Sequence, residues 1–150
     1  AGATSFANTG SVTIGDDATD STSFTGGLVH TAGATTVAGS VSTTNSVITL
    51  GATTVSANTT LAAGSATITI GAASLNDGVT LTIGSGGSGT VSASTISGTV
   101  AGSASNVTFN VTGAVTVSGA VGTDIGTVTV TNTGGIDFQS TLNAAADQNL

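Results

Sequence analysis

The chain has 150 residues, no Lys, Arg or Cys, and a formal net charge of -7 that comes from its Asp residues. Without side-chain cations to displace counterions from phosphate, most modes of nucleic-acid binding are excluded, and no run of about 20 apolar residues is present that could insert into a membrane. A charged content of 5% with 38% hydrophobic residues argues against disorder. Abundant Thr, Ser, Val and Ile with 23 Gly favour strands and turns.

A short pattern recurs along the chain: one apolar residue, three mostly small or polar residues, and a second apolar residue. Its starting residues, including one longer version, are Phe24, Val37, Val55, Leu75, Ile96, Val117 and Phe138. From Val37 onward the starts are 18 to 21 residues apart, whereas the step from Phe24 is only 13. A near-constant period of about 20 residues is typical of the coils of a β-solenoid, which stack one on the next.

A second column follows the first. Eight residues after the closing apolar residue of four motifs lie Thr49, Thr69, Thr108 and Thr129, each between two apolar neighbours. This alternation predicts half-buried strands, so we expect the four Thr side chains to stack on one outward face. The residues expected inside are Ile48, Leu50, Ile68, Ile70, Phe109, Val111, Val128 and Val130. The Gly-rich run 84–89 predicts a loop or bulge that restores the register.

Together these patterns predict an all-β fold: a right-handed parallel β-helix (β-solenoid) with coils of about 20 residues. Residues 1–34 are expected to form an irregular N-terminal β segment or cap, residues 35–142 the solenoid repeats, and residues 143–150 a C-terminal tail or weak cap. The absence of Pro fits, because inner coils must donate every ladder hydrogen bond. An antiparallel β-sandwich is the alternative, and its best hairpin candidate is the turn at 76–78.

The repeats resemble the β-strand-repeat regions of giant bacterial surface proteins, the filamentous-haemagglutinin-like adhesins and related autotransporter passengers. The stretches that carry the resemblance are GAVTVSGAVGTDIGTVTVTNTGGIDFQSTL (113–142) and SVITLGATTVSANTTL (46–61). The resemblance covers most of residues 35–142 and rests on the repeated pattern of apolar and polar residues, with no single invariant motif. It implies export, a right-handed parallel β-helix, and adhesion or surface display.

The carboxylates offer one candidate metal site. Asp16, Asp17 and Asp20 form the only dense acidic cluster, and oxygen ligands at this density are candidate ligands for calcium. Their spacing matches neither an EF-hand loop nor the nonapeptide calcium repeat, so a solvated loop is the alternative.

The single His, His30, lacks the partners that catalysis requires. A nucleophile needs an oriented base with its own support, and no Ser-His-Asp spacing stands out from the Ser-rich background. A glycosidase needs paired carboxylates, and the aromatic and basic groove residues that accompany them in sugar-cleaving solenoids are missing. The sequence therefore predicts that the protein is not an enzyme and has no cofactor apart from the candidate calcium ion.

The predicted function is an extracellular structural or adhesive β-solenoid segment of a bacterial surface or fibre-forming protein, secreted to the cell surface or extracellular matrix. Two alternatives stay open: a self-assembling extracellular filament subunit, and ice- or crystal-surface binding through a Thr face. The Thr-x-Thr pairs that resemble those of ice-binding solenoids are Thr67/Thr69, Thr80/Thr82 and Thr127/Thr129. Expected partners are copies stacked end to end or neighbouring coils of a longer chain, and host or surface glycans.

Overall fold

A computed structural model describes residues 1–99, 102–131 and 133–146. In these ranges the chain forms short strands joined by tight turns, and it contains no helix long and apolar enough to cross a membrane. The strands are β1 (Thr4–Ser5), β2 (Val12–Ile14), β3 (Ser21–Phe24), β4 (Leu28–His30), β5 (Thr35–Thr43), β6 (Ile48–Leu50), β7 (Thr53–Ala62), β8 (Ile68–Ile70), β9 (Ala73–Leu75), β10 (Thr80–Gly87), β11 (Val91–Ala93), β12 (Ile96–Gly98), β13 (Ser105–Val111), β14 (Val115–Val117), β15 (Val121–Gly122), β16 (Ile125–Thr131) and β17 (Ile136–Phe138).

The strands form three faces, each made of one strand from successive coils. Face A is a seven-stranded sheet of β1, β4, β6, β8, β11, β14 and β17. Face B contains β2, the first parts of β5 and β7, then β9, β12 and β15. Face C contains β3, the second parts of β5 and β7, then β10, β13 and β16. Because β5 and β7 continue around a corner, faces B and C belong to one ten-stranded sheet.

Every strand pair in the described ranges is parallel. On face A the pairing shifts by 20 to 24 residues from one coil to the next. Seven strands at a spacing of about 4.8 Å give a stack about 29 Å long between the outer strands. The predicted parallel β-solenoid is confirmed, and the antiparallel sandwich is wrong.

The core consists of apolar columns that run along the stack. Ile48, Ile68 and Val91 occupy one inward column of face A in register, while Thr49 and Thr69 point outward between the columns. Each buried Val, Leu or Ile contributes about 1.5–3 kcal/mol relative to exposure, so the columns supply the main stabilisation. Of the eight residues predicted inside, seven are buried, and Val130 is half-buried and packs against the core.

Glycine makes the tight corners possible at two points. Gly39 has a φ of 70°, and a Cβ atom there would lie 2.3 Å from the Asp20 carbonyl oxygen, so only Gly lets the chain pass. Farther along, the register of β10 against β13 shifts between Ile83 and Gly87, and Gly84 has a φ of 94°. The predicted register-restoring bulge in the Gly-rich run is confirmed.

Both terminal segments add strands or backbone hydrogen bonds to the same ladders. In residues 1–34, Val12 pairs with Thr35 and Leu28 pairs with Ile48, as later coils do. Near the other end, the backbone N–H of Asn143 donates to the Val121 carbonyl oxygen at 2.7 Å. Residues 147–150 of the predicted C-terminal tail, and Val100, which closes one predicted motif, lie outside the described residues.

Candidate binding surface

Face C is the widest face, because its strands in the later coils are seven or eight residues long whereas most strands of the other faces have three. Its central outward column consists of hydroxyl side chains that stack in register: Ser40, Thr60, Thr82, Thr108 and Thr129. A flanking column consists of Asn58, Thr80, Asn106 and Thr127. These two columns carry no charge and consist of side chains that can form hydrogen bonds.

The four predicted Thr residues do not share one face. Thr49 pairs with Thr69 on face A, whereas Thr108 pairs with Thr129 on face C. The prediction of a single four-Thr column is therefore wrong, although each pair does stack outward as expected. The prediction placed each Thr eight residues after the closing apolar residue of a motif, and these closing residues lie on different faces. Leu61 closes its motif on face C, whereas Val121 closes its motif on face B.

The apolar motif marks corners of the coil, but different corners in different coils. Val37 and Leu75 precede the corner between faces B and C, whereas Val117 and Phe138 precede the corner between faces A and B. Coils that differ in length by up to four residues move the motif around the cross-section while leaving its spacing nearly constant. A residue at a fixed distance after such a motif therefore lies on different faces in different coils.

The three Thr-x-Thr pairs also lie on two different faces. The pair that contains Thr69 is at face A, where the Thr67 and Thr90 hydroxyl oxygens lie 2.9 Å apart and form a hydrogen bond. The other two pairs both belong to face C, in the rows of β10 and β16. Face C is thus the surface on which a regular Thr array is found.

A groove of about 290 Å³ opens on face C beside the early coils. It is lined by Ala18, Gly39, Ser40, Asn58, Thr59, Thr60, Thr80 and Thr82. The Asn58 side-chain oxygen accepts the Thr80 backbone N–H at 2.8 Å, which fixes the orientation of the amide group. The groove thereby joins the loop 16–20 to the hydroxyl columns of face C.

The acidic loop next to this groove is closed by its own hydrogen bonds. One Asp20 carboxylate oxygen accepts the backbone N–H groups of Asp16 and Asp17 at 2.8 and 3.3 Å. One Asp17 carboxylate oxygen accepts both the N–H and the hydroxyl of Thr19 at 2.6 Å. The loop is anchored to face C because the Ser40 N–H donates to the Asp20 carbonyl at 2.7 Å.

These contacts separate the pKa values of the three exposed carboxyl groups. A hydrogen bond to Asp20, and then charge repulsion from it, raise the pKa of Asp16. Hydrogen bonds from Thr19 lower the pKa of Asp17. Hydrogen bonds from Asp16 and then from the Asp17 backbone lower the pKa of Asp20.

The predicted calcium ligands are adjacent but do not form a metal-binding group. Within residues 1–99, 102–131 and 133–146, no group of three or more His or Asp side chains is arranged so that it could hold a metal ion. The oxygens of Asp17 and Asp20 point toward the N–H and hydroxyl groups of their own loop. This geometry favours the solvated loop that the sequence left as the alternative.

His30 is fully buried and satisfied on both ring nitrogens. Its Nε2 atom lies 3.3 Å from the Asn8 carbonyl oxygen, which can only accept, so the neutral ring carries its proton there. Its Nδ1 atom then accepts the Thr35 hydroxyl at 2.8 Å. Phe6 packs edge-on against the ring, with centroids 6.1 Å apart. These contacts hold the first coil on the second, which is a structural role.

A second groove, of about 260 Å³, lies on face B at the last described coils. It includes Thr95, Ser97 and Thr123 in a lining that also contains apolar residues. Thr123 in this lining has a φ of 50°, a backbone region that β-branched residues rarely adopt, and the adjacent Asp124 has a φ of 60°. One Asp124 carboxylate oxygen is buried without a hydrogen-bond partner in the described structure. These features mark a strained corner beside the groove.

Sequence reasoning did not find the face C groove. The groove depends on the loop 16–20 folding over Gly39, and on Asn58 and Thr80 meeting across two coils. The loop precedes the regular period, so no repeat spacing connects it with the later Thr residues. The one available signal was Gly39, at the centre of the apolar motif that runs from Val37 to Val41.

Comparisons with known proteins give no relative. No protein-family model, no curated protein and no solved structure matches the chain. The function is therefore inferred from the sequence and geometry of this chain alone.

Proposed function

We propose that the chain is a rigid structural or adhesive segment of an extracellular bacterial surface protein or fibre. The observation that carries the proposal is the set of three parallel ladders around a continuous and mainly apolar core. Each coil contacts mainly its neighbours, so such a stack behaves as a stiff rod that extends by repetition. A rod of this kind supports display or adhesion without a catalytic centre.

The resemblance to adhesin repeat regions and the surface chemistry support the same proposal. The outward columns of face C consist of Thr, Ser and Asn, and the chain has no Lys or Arg to bind polyanions. Such a surface is suited to a secreted protein that contacts neutral material, including glycans. Immunogold labelling of intact source cells is expected to decorate their surface or matrix, and labelling only after permeabilisation would refute this location.

The ends of the described stack support pairing with further coils, either of a longer chain or of another copy. At one end Phe6 and Phe24 are only half-buried against the core, and at the other end Ile136 and Phe138 are half-buried. Solenoid edges of this type bind further strands readily. Electron microscopy of the 150-residue chain should show end-to-end stacks, whereas monomers at high concentration would contradict self-assembly.

Ice- or crystal-surface binding is the second candidate, and the Thr array of face C favours it. Thr80/Thr82 and Thr127/Thr129 present hydroxyl groups in two columns on face C. Thermal hysteresis measured with the purified chain tests this candidate. A freezing-point gap together with faceted ice crystals would support it, and plain disc growth would exclude it.

A further inference from the structure

The groove on face C is built by two separate parts of the chain. The loop 16–20 forms its wall through Ala18, and the hydroxyl column of face C forms its floor. Gly39 allows this approach, because any larger residue would collide with the carbonyl oxygens of Asp20 and Asp17. The wall is therefore fixed against the floor by close packing and by the Ser40 to Asp20 backbone hydrogen bond.

The groove presents polar groups that the protein itself does not use. In the described structure, the hydroxyl groups of Ser40, Thr60, Thr80 and Thr82 line the groove and form no side-chain hydrogen bond. Asn58 engages only its side-chain oxygen, so its amide NH₂ group remains able to donate. Four hydroxyl groups, each able to donate or accept, thus converge with one amide donor on a single concavity.

The chemistry of the lining selects the ligand class. The lining residues include no cation, and the carboxylates of the loop 16–20 are next to them, so anionic ligands are repelled. The same residues include no aromatic ring, which disfavours planar ligands held by stacking. A volume of about 290 Å³ is near the lower limit for small-molecule sites, which suits one small polar ring.

We propose that this groove binds one sugar ring of a neutral polysaccharide whose chain continues along face C. The groove is open toward the hydroxyl column, where Thr108 and Thr129 continue the floor in register. Further rings would meet the same spacing of hydroxyl groups, so weak contacts add along the chain. A rod does not require this site, so the rod function and the groove are tested separately.

The test is a depletion assay with the 150-residue chain on insoluble cellulose, chitin, mannan and starch, and on alginate gel as the anionic comparison. The chain should be retained by at least one neutral polysaccharide and not by alginate. The variant Thr60→Val/Thr82→Val removes two groove hydroxyl groups and keeps the side-chain shape. We expect its affinity to fall about tenfold, since two hydrogen bonds to the ligand are lost.

Matched variants separate the groove from general surface effects. Thr49→Val/Thr69→Val makes the same chemical change on face A and should bind as the unmodified chain does. Ala18→Trp fills the groove from the wall and should abolish binding while circular dichroism stays unchanged. Equal losses in both double variants, preferential retention by alginate, or no retention by any neutral polysaccharide would overturn the proposal. Ice shaping by face C without polysaccharide binding would also overturn it.

Discussion

Replacing Phe109 by Ala tests the core where its largest fully buried side chain lies. Phe109 is 0% exposed, stands in register below Ile83, and packs edge-on against Phe138 with ring centroids 6.3 Å apart. Loss of its burial costs about 1.5–3 kcal/mol, and loss of the aromatic pair adds about 0.5–1.5 kcal/mol. With the residual cavity, we expect destabilisation of about 3–5 kcal/mol.

The assay is guanidinium denaturation followed by far-ultraviolet circular dichroism, because the chain has no Trp or Tyr for fluorescence. Thr108→Ala is the matched control, since Thr108 is the adjacent residue of β13 and points outward on face C. We expect the control to change the free energy of unfolding by no more than about 1 kcal/mol. Similar destabilisation by the two substitutions would refute the assignment of inner and outer faces.

Two further predictions concern the N-terminal coils. His30→Leu should destabilise the chain by about 1–3 kcal/mol because it leaves buried hydrogen-bond partners unpaired. Adding Thr35→Val should recover part of this loss, and a double-variant cycle without coupling would contradict the hydrogen bond between His30 and Thr35. In a carbon-detected NMR titration, the pKa of Asp16 should lie above the ordinary Asp pKa of 3.8, and the pKa values of Asp17 and Asp20 should lie below it. A lowered pKa stabilises the folded form only while the group is ionised. The loop 16–20 should therefore stay ordered above pH 3.8 and open as the pH falls through the lowered pKa values of Asp17 and Asp20. Titration midpoints in the reverse order, with Asp16 below Asp17 and Asp20, would contradict the loop geometry.

The fold could be predicted from the sequence because the inward columns repeat in register. Alternation around Thr49 and Thr69 identified two neighbouring strands correctly, since apolar residues on both sides of a polar one define an inner and an outer side. The glycine bulge after Ile83 was also predictable, because extra Gly residues interrupt an otherwise regular period. Local patterns of this kind fix which side of a strand is buried.

The assignment of residues to faces was not predictable to the same degree. The sequence period reports the length of a coil, but it does not report where on the cross-section a motif lies. Thr69 and Thr108 were consequently placed in one column although they lie on different faces. The groove at Asn58 and the buried contacts of His30 depend on side-chain contacts between neighbouring coils, which no local pattern records.

The most direct test of the solenoid and its three faces uses paired nitroxide labels. The chain contains no Cys, so Cys pairs can be introduced without removing native thiols. Labels at Thr49 and Thr69 should show strong dipolar broadening, because neighbouring strands lie about 4.8 Å apart. Labels at Thr108 and Thr129 should broaden equally, whereas labels at Thr69 and Thr108, on different faces, should not. Broadening of the Thr69/Thr108 pair to the level of the other two, or none in any pair, would contradict the parallel three-faced stack.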